Sequence, residues 1–145
     1  MQRFIRRLSV NCAPTYGFTN ASGYAVIDQN RIKLIARLLG WLAVIVIAIL
    51  SLVPGDIRPH TGAPGALEHL AAYLGTAGLL TFGYGGKRSP VAIILSLSFY
   101  SAVFEIAQIQ IPGRHAAFSD FFASTTGAIV GSALAWIVLK ALAVC

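Results

Sequence analysis

Residues 91–111 read VAIILSLSFYSAVFEIAQIQI, twenty-one positions with no lysine or arginine and one carboxylate, Glu105. At about 1.5 Å per residue a helix of this length covers roughly 30 Å, the hydrocarbon thickness of a bilayer. Working outward, three more apolar runs occupy 38–53, 66–84 and 121–144. The first is shorter than the ~17 residues a span requires. It suffices only if 34–39 joins it, with Lys33 and Arg37 snorkelling towards the headgroups. Strong helix breakers separate the runs: Pro54-Gly55 with Pro59 and Pro64, Gly85-Gly86 with Pro90, and Pro112-Gly113. The expected fold class is therefore all-α, a polytopic membrane bundle of about four transmembrane helices.

Composition agrees. Of the 145 residues, 57% are hydrophobic and 11% charged, with a mean hydropathy of +0.74, whereas soluble domains are about a quarter charged. A chain this short has too much boundary to hide so many apolar side chains from water. The net charge of +6 raises nucleic acid as a partner, but no basic stripe with interleaved aromatics exists, so none is expected. Lysines and arginines cluster instead at the ends of apolar runs. For four spans with the N-terminus inside, nine face the cytoplasm and two (Arg58 and Arg114) face out. The positive-inside rule then places both termini in the cytoplasm of a multi-pass inner-membrane protein, with loops 1 and 3 outside. Residues 1–37 read as a basic, partly disordered tail and 38–145 as the transmembrane domain. Cys12 and Cys145 lie at opposite ends and suggest neither a disulfide nor a metal site, and no cofactor is expected.

Ionisable groups in apolar runs normally face the bundle interior or a water cavity. His69 and Tyr73 (i,i+4) share one face of the second helix, and Glu105 and Gln108 (i,i+3) one face of the third. All four fall within ~10 Å of the outer boundary at 1.5 Å per residue. Arg114 presents a planar fork suited to a carboxylate or phosphate, and Asp120 opens the fourth run. These six are the candidates for one outward-opening polar pocket, with Glu68, Ser119 and Ser124 secondary. Blander roles compete: Glu68 as an interfacial residue, and Ser119 or Asp120 as the N-cap of the fourth helix. Pro112-Gly113 suits the centre of a type II turn. Gly127 and Gly131 form a GxxxG pair that serves close helix packing, with Gly75 and Gly78 as the facing notch, and offers a surface for a homo-oligomer.

The ordered set Leu52-Val53-Pro54, His69 with Tyr73, Glu105 with Gln108, Pro112-Gly113-Arg114, Ser119-Asp120, and Gly127 with Gly131 resembles the VanZ-like family of small bacterial integral membrane proteins, over about residues 38–140. The chain departs from the family pattern in two places. An Asp-Lys pair often precedes the histidine, where this chain has Gly65-Ala66 and Glu68, and an Asn often follows the aspartate, where it has Ser124. The resemblance implies a cell-envelope protein from a family associated in some bacteria with low-level teicoplanin resistance, without a settled biochemical activity.

Three functions compete. One is binding of an anionic membrane lipid, or a lipid-linked envelope precursor with a glycan headgroup, with Arg114 and His69 on the phosphate. A second is an intramembrane lipid hydrolase with Glu105 and His69 as acid and base; the absence of HExxH, GxSxG, P-loop and cysteine-nucleophile signatures weighs against an enzyme. The third, a transporter or channel subunit, lacks visible internal symmetry.

Overall fold

The computed structural model describes residues 28–55, 57, 62–113 and 116–143, and these form helices and short connections without a strand. The order is α1 (Gln29–Leu52), α2 (Gly65–Tyr84), α3 (Pro90–Gln108) and α4 (Phe118–Ala143). Local chemistry sets the boundaries. The Asp28 carboxylate accepts the Asn30 amide at 2.9 Å and opens α1. That helix stops two residues short of Pro54, whose ring disfavours a helical predecessor. Gly85, at φ 54°, turns its amide onto the carbonyls of Thr81 and Phe82 and closes α2. Pro90 is the first residue of α3, where its missing N–H leaves no bond unmade.

Two boundaries correct the expectations from sequence. Residues 29–37, assigned to the tail, are the first turns of α1, because the Asp28 cap starts the helix ahead of the 34–39 stretch. The guanidinium of Arg37 lies 5.1 Å from the centre of the Tyr84 ring, a contact that favours a cation near a lipid boundary. At the other correction, α4 begins at Phe118. Ser119 and Asp120 therefore occupy its first turn instead of its cap. Residues 1–27 and 144–145, which include both cysteines, lie outside the described residues, as does the expected disorder of the tail.

The connectivity carries each helix across the same layer. The end of α1 meets the end of α3: Gln108 Nε2 donates to the Ser51 carbonyl at 3.2 Å, and the Gly55 amide to Pro112 at 3.3 Å. Loops 1 and 3 thus share one face of the bundle. At the other end, a Cβ on Gly85 would touch the Lys33 side chain, so the end of α2 adjoins the start of α1. α1 and α3 are therefore parallel, and α2 returns between them. By length and apolarity α1, α3 and α4 each qualify as membrane spans. α2 is long enough at 20 residues, but Glu68, His69, Thr76 and Thr81 lower its hydropathy. It packs on all three other helices, and the inward-facing Thr76 and Thr81 are buried.

The bundle is apolar outside and small and polar within. Leu38, Ile45, Leu95, Phe99, Ile106 and Ile137 are each more than half exposed, while Thr76, Thr81, Ser101, Ser124 and Ser132 are buried. Water would oppose that distribution, and lipid favours it. Thr81 Oγ1 lies 3.1 Å from Ser132 Oγ across the α2–α4 seam, and the Tyr100 hydroxyl donates to the Val44 carbonyl at 2.6 Å across α1–α3. Glycines let backbones meet. A Cβ on Gly127 or Gly131 would enter the Leu70 or Leu74 carbonyl of α2, and one on Gly83 would lie 2.6 Å from the Arg37 amide nitrogen. Gly78 faces Gly131 as expected, but Gly75 has nothing within 4 Å and is no part of the notch.

Candidate functional site

Three helices deliver three ionisable side chains to one point at the end of the bundle that carries loops 1 and 3. His69 lies one turn into α2, Glu105 one turn before the end of α3, and Asp120 in the first turn of α4. One ligand-type atom from each of the three lies within 4.8 Å of the other two. Glu105 is only 9% exposed. Its Oε2 accepts the Ala117 amide at 3.0 Å, at the entry to α4. His69 is held on both sides. Its Nδ1 sits 3.3 Å from the Ser124 hydroxyl, and its Nε2 lies 3.8 Å from Asp120 Oδ2. The side chains of His69 and Asp120 are 12% and 20% exposed, so the cluster reaches the surface through them.

Tyr73 forms the floor. It is 1% exposed, its ring stacks 6.4 Å from His69 at 20°, and its hydroxyl is hydrogen-bonded to Ser101. Gln108 has a different duty: its amide is committed to the Ser51 carbonyl and ties α3 to α1. Ser119 donates to Asp120 Oδ1 at 3.2 Å and steadies that carboxylate. Glu68 is half-buried in the first turn of α2. Arg114 lies outside the described residues. Gly113, at φ 72°, has the left-handed backbone expected in the third position of a type II turn.

Electrostatics at this end are mixed. α2 and α4 both begin here, and a Cβ on Gly65 would lie 3.5 Å from the Asp120 carboxylate. Their N-termini each contribute roughly half a positive charge and offer free amides to an anion, while the C-termini of α1 and α3 at the same end contribute roughly half a negative charge each. Two carboxylates add to the negative side. Among the described residues, the side chain that brings a nitrogen donor to these carboxylates is His69.

Alongside the cluster runs an apolar groove of about 410 Å³ between α3 and α4, lined by Ala102, Ile106, Ile109, Phe118, Phe121 and Phe122, with Glu105 in its wall. Sequence inspection missed it. The phenylalanines look like ordinary lipid-facing residues, and only the angle between the two helices converts them into a cleft. Ser124 has the residue type of a hydrolytic nucleophile and touches His69. It is 0% exposed within the α2–α4 seam, however, and closed to a substrate carbonyl.

Residues 33–139 match a family model described as VanZ/LLP1. No curated protein and no solved structure matches the chain. The family match spans well over half of the sequence and includes each element of the cluster, the turn and the glycine seam. With apolar helices arranged to cross a bilayer, the chain is a membrane protein that belongs to the VanZ/LLP1 family.

Proposed function

We propose that this protein binds a membrane lipid with an anionic headgroup, the headgroup at the His69–Glu105–Asp120 end and the acyl or prenyl chain in the adjoining groove. One observation carries the proposal: Glu105 belongs to both the polar cluster and the wall of the groove. A ligand that satisfies both must be polar at one end and apolar along its length. Two helix N-termini and the Arg114 of loop 3 favour a phosphate among polar ends. With loops 1 and 3 outside the cytoplasm, the ligand is presented on the outer side of the inner membrane, where envelope precursors are also handled.

A hydrolase is the weaker alternative. Ser124 is buried, so such an enzyme would need Glu105 or His69 to activate a water, and no observation favours that step over simple binding. The test is the lipid that accompanies the protein through mild-detergent purification, measured by mass spectrometry. Ala102→Trp, which fills the groove, and Arg114→Ala should each deplete the same lipid relative to wild type. A phospholipid and a prenyl phosphate differ in mass, so the two sources are told apart. Identical lipid profiles in all three proteins would overturn the proposal.

A further inference from the structure

The distance between His69 and Asp120 is informative. At 3.8 Å, Nε2 and Oδ2 are too far apart for a hydrogen bond. Two donors bound to one ion at about 2.1 Å are about 3.4 Å apart in tetrahedral geometry and up to about 4.2 Å across the ion. The 4.8 Å limit that contains the Glu105 donor as well needs less than an ångström of side-chain adjustment.

The surroundings prepare the three groups as ligands. Ser124 engages Nδ1 of His69 and leaves Nε2 directed at Asp120. That is the outer-shell contact by which metal-binding histidines are oriented. The Ala117 amide holds the Glu105 carboxylate, and the Ser119 hydroxyl holds Asp120. Charge points the same way. The half charges of the two helix N-termini are offset by those of the α1 and α3 C-termini at the same end, so the two carboxylates leave a net negative charge when His69 is neutral. Because Glu105 is nine-tenths buried, solvent screens little of it.

We propose that His69, Glu105 and Asp120 bind one divalent metal ion, and that its open coordination positions receive phosphate oxygens of the lipid headgroup. The phosphate half rests on the lipid-binding proposal above; the metal half does not. One imidazole nitrogen with two carboxylate oxygens is a donor set for zinc or manganese in preference to calcium, which takes oxygen alone. Such an ion also explains how an anionic headgroup approaches two carboxylates. No ligand motif marks the site in sequence, where metal was not expected, because 36 and 15 residues separate the three and only the helix packing joins them.

The test is titration calorimetry of Zn2+, and separately Mn2+, into chelator-stripped full-length protein in detergent without added phosphate. Cys12→Ser and Cys145→Ser remove competing thiols. One equivalent per chain is expected. Asp120→Asn and His69→Gln should weaken binding by roughly 100-fold, and Ser124→Ala, which leaves all three ligands, by roughly 10-fold. Asp120 is partly exposed in a first helical turn, so its amide variant should keep native helical circular dichroism. Absence of stoichiometric binding in wild type, or equal affinity in a folded Asp120→Asn protein, would overturn the metal site. Inorganic phosphate is then added to the loaded protein. Metal-dependent phosphate binding supports the second half, and metal binding without it overturns that half alone.

Discussion

Replacing Gly131 by alanine tests the closest approach in the bundle. A Cβ there would lie 2.9 Å from the carbonyl carbon and 3.0 Å from the Cα of Leu74, and closer still to its carbonyl oxygen. These are backbone atoms, so no rotamer change relieves them. Ordinary contact between such atoms is about 3.5–4.0 Å, so α4 must retreat from α2 by roughly 1 Å and lose attraction along the seam. Overpacking of this kind costs about 2 kcal/mol. Gly75 is the internal control, because a Cβ there meets nothing within 4 Å. Its alanine variant should gain about 0.5–1 kcal/mol from helix propensity. Gly131 lies mid-helix too and gains the same propensity term, so the two variants should differ by the overpacking cost alone, about 2 kcal/mol or roughly 30-fold in the unfolding constant. Reversible unfolding by sodium dodecyl sulfate in mixed micelles, followed by circular dichroism, measures the gap. Equal midpoints for Gly131→Ala and Gly75→Ala would refute the claim that this seam is in backbone contact.

Other consequences are equally direct. Gly83→Ala should destabilise by about 1–3 kcal/mol in the same assay, because its Cβ would sit 2.6 Å from the Arg37 nitrogen. Gln108→Leu should cost about 1 kcal/mol by releasing the Ser51 carbonyl while the helices stay formed. With native cysteines replaced, Ile57→Cys and Pro112→Cys should react with a membrane-impermeant maleimide from the outside, and Lys87→Cys only after permeabilisation. Labelling of residues 57 and 112 from opposite sides would contradict the shared face of loops 1 and 3.

Much of this architecture was legible in the residues because lipid imposes a simple rule on length and apolarity. The runs around Ile93, Ala128 and Ile47 became helices, and Pro54, Gly85 and Pro90 marked their limits. The convergence of Glu105 with His69 was legible too, since a carboxylate deep in an apolar run must turn inward. What escaped depends on helix rotation and angle. Apolar patterning could not place the start of α1 at Gln29, because the cap at Asp28 lies beyond the apolar stretch. Nor could it tell that Gly75 faces outward while Gly78, three residues on, faces Gly131. Asp120 was open to two readings, pocket residue and helix cap, because its type suits both. The Ala117 amide is bound by Glu105 of another helix, and the Asp120 carboxylate turns to His69 instead.

Where the lipid chain lies is the most direct test of the central claim. A diazirine placed along the acyl chain of a phosphate-headed lipid should, on illumination in native-like vesicles, label peptides containing Ile106, Ile109, Phe121 and Phe122, and Ala102→Trp should abolish that labelling. Labelling spread evenly over the exposed faces of α1 and α4, unchanged by Ala102→Trp, would contradict it.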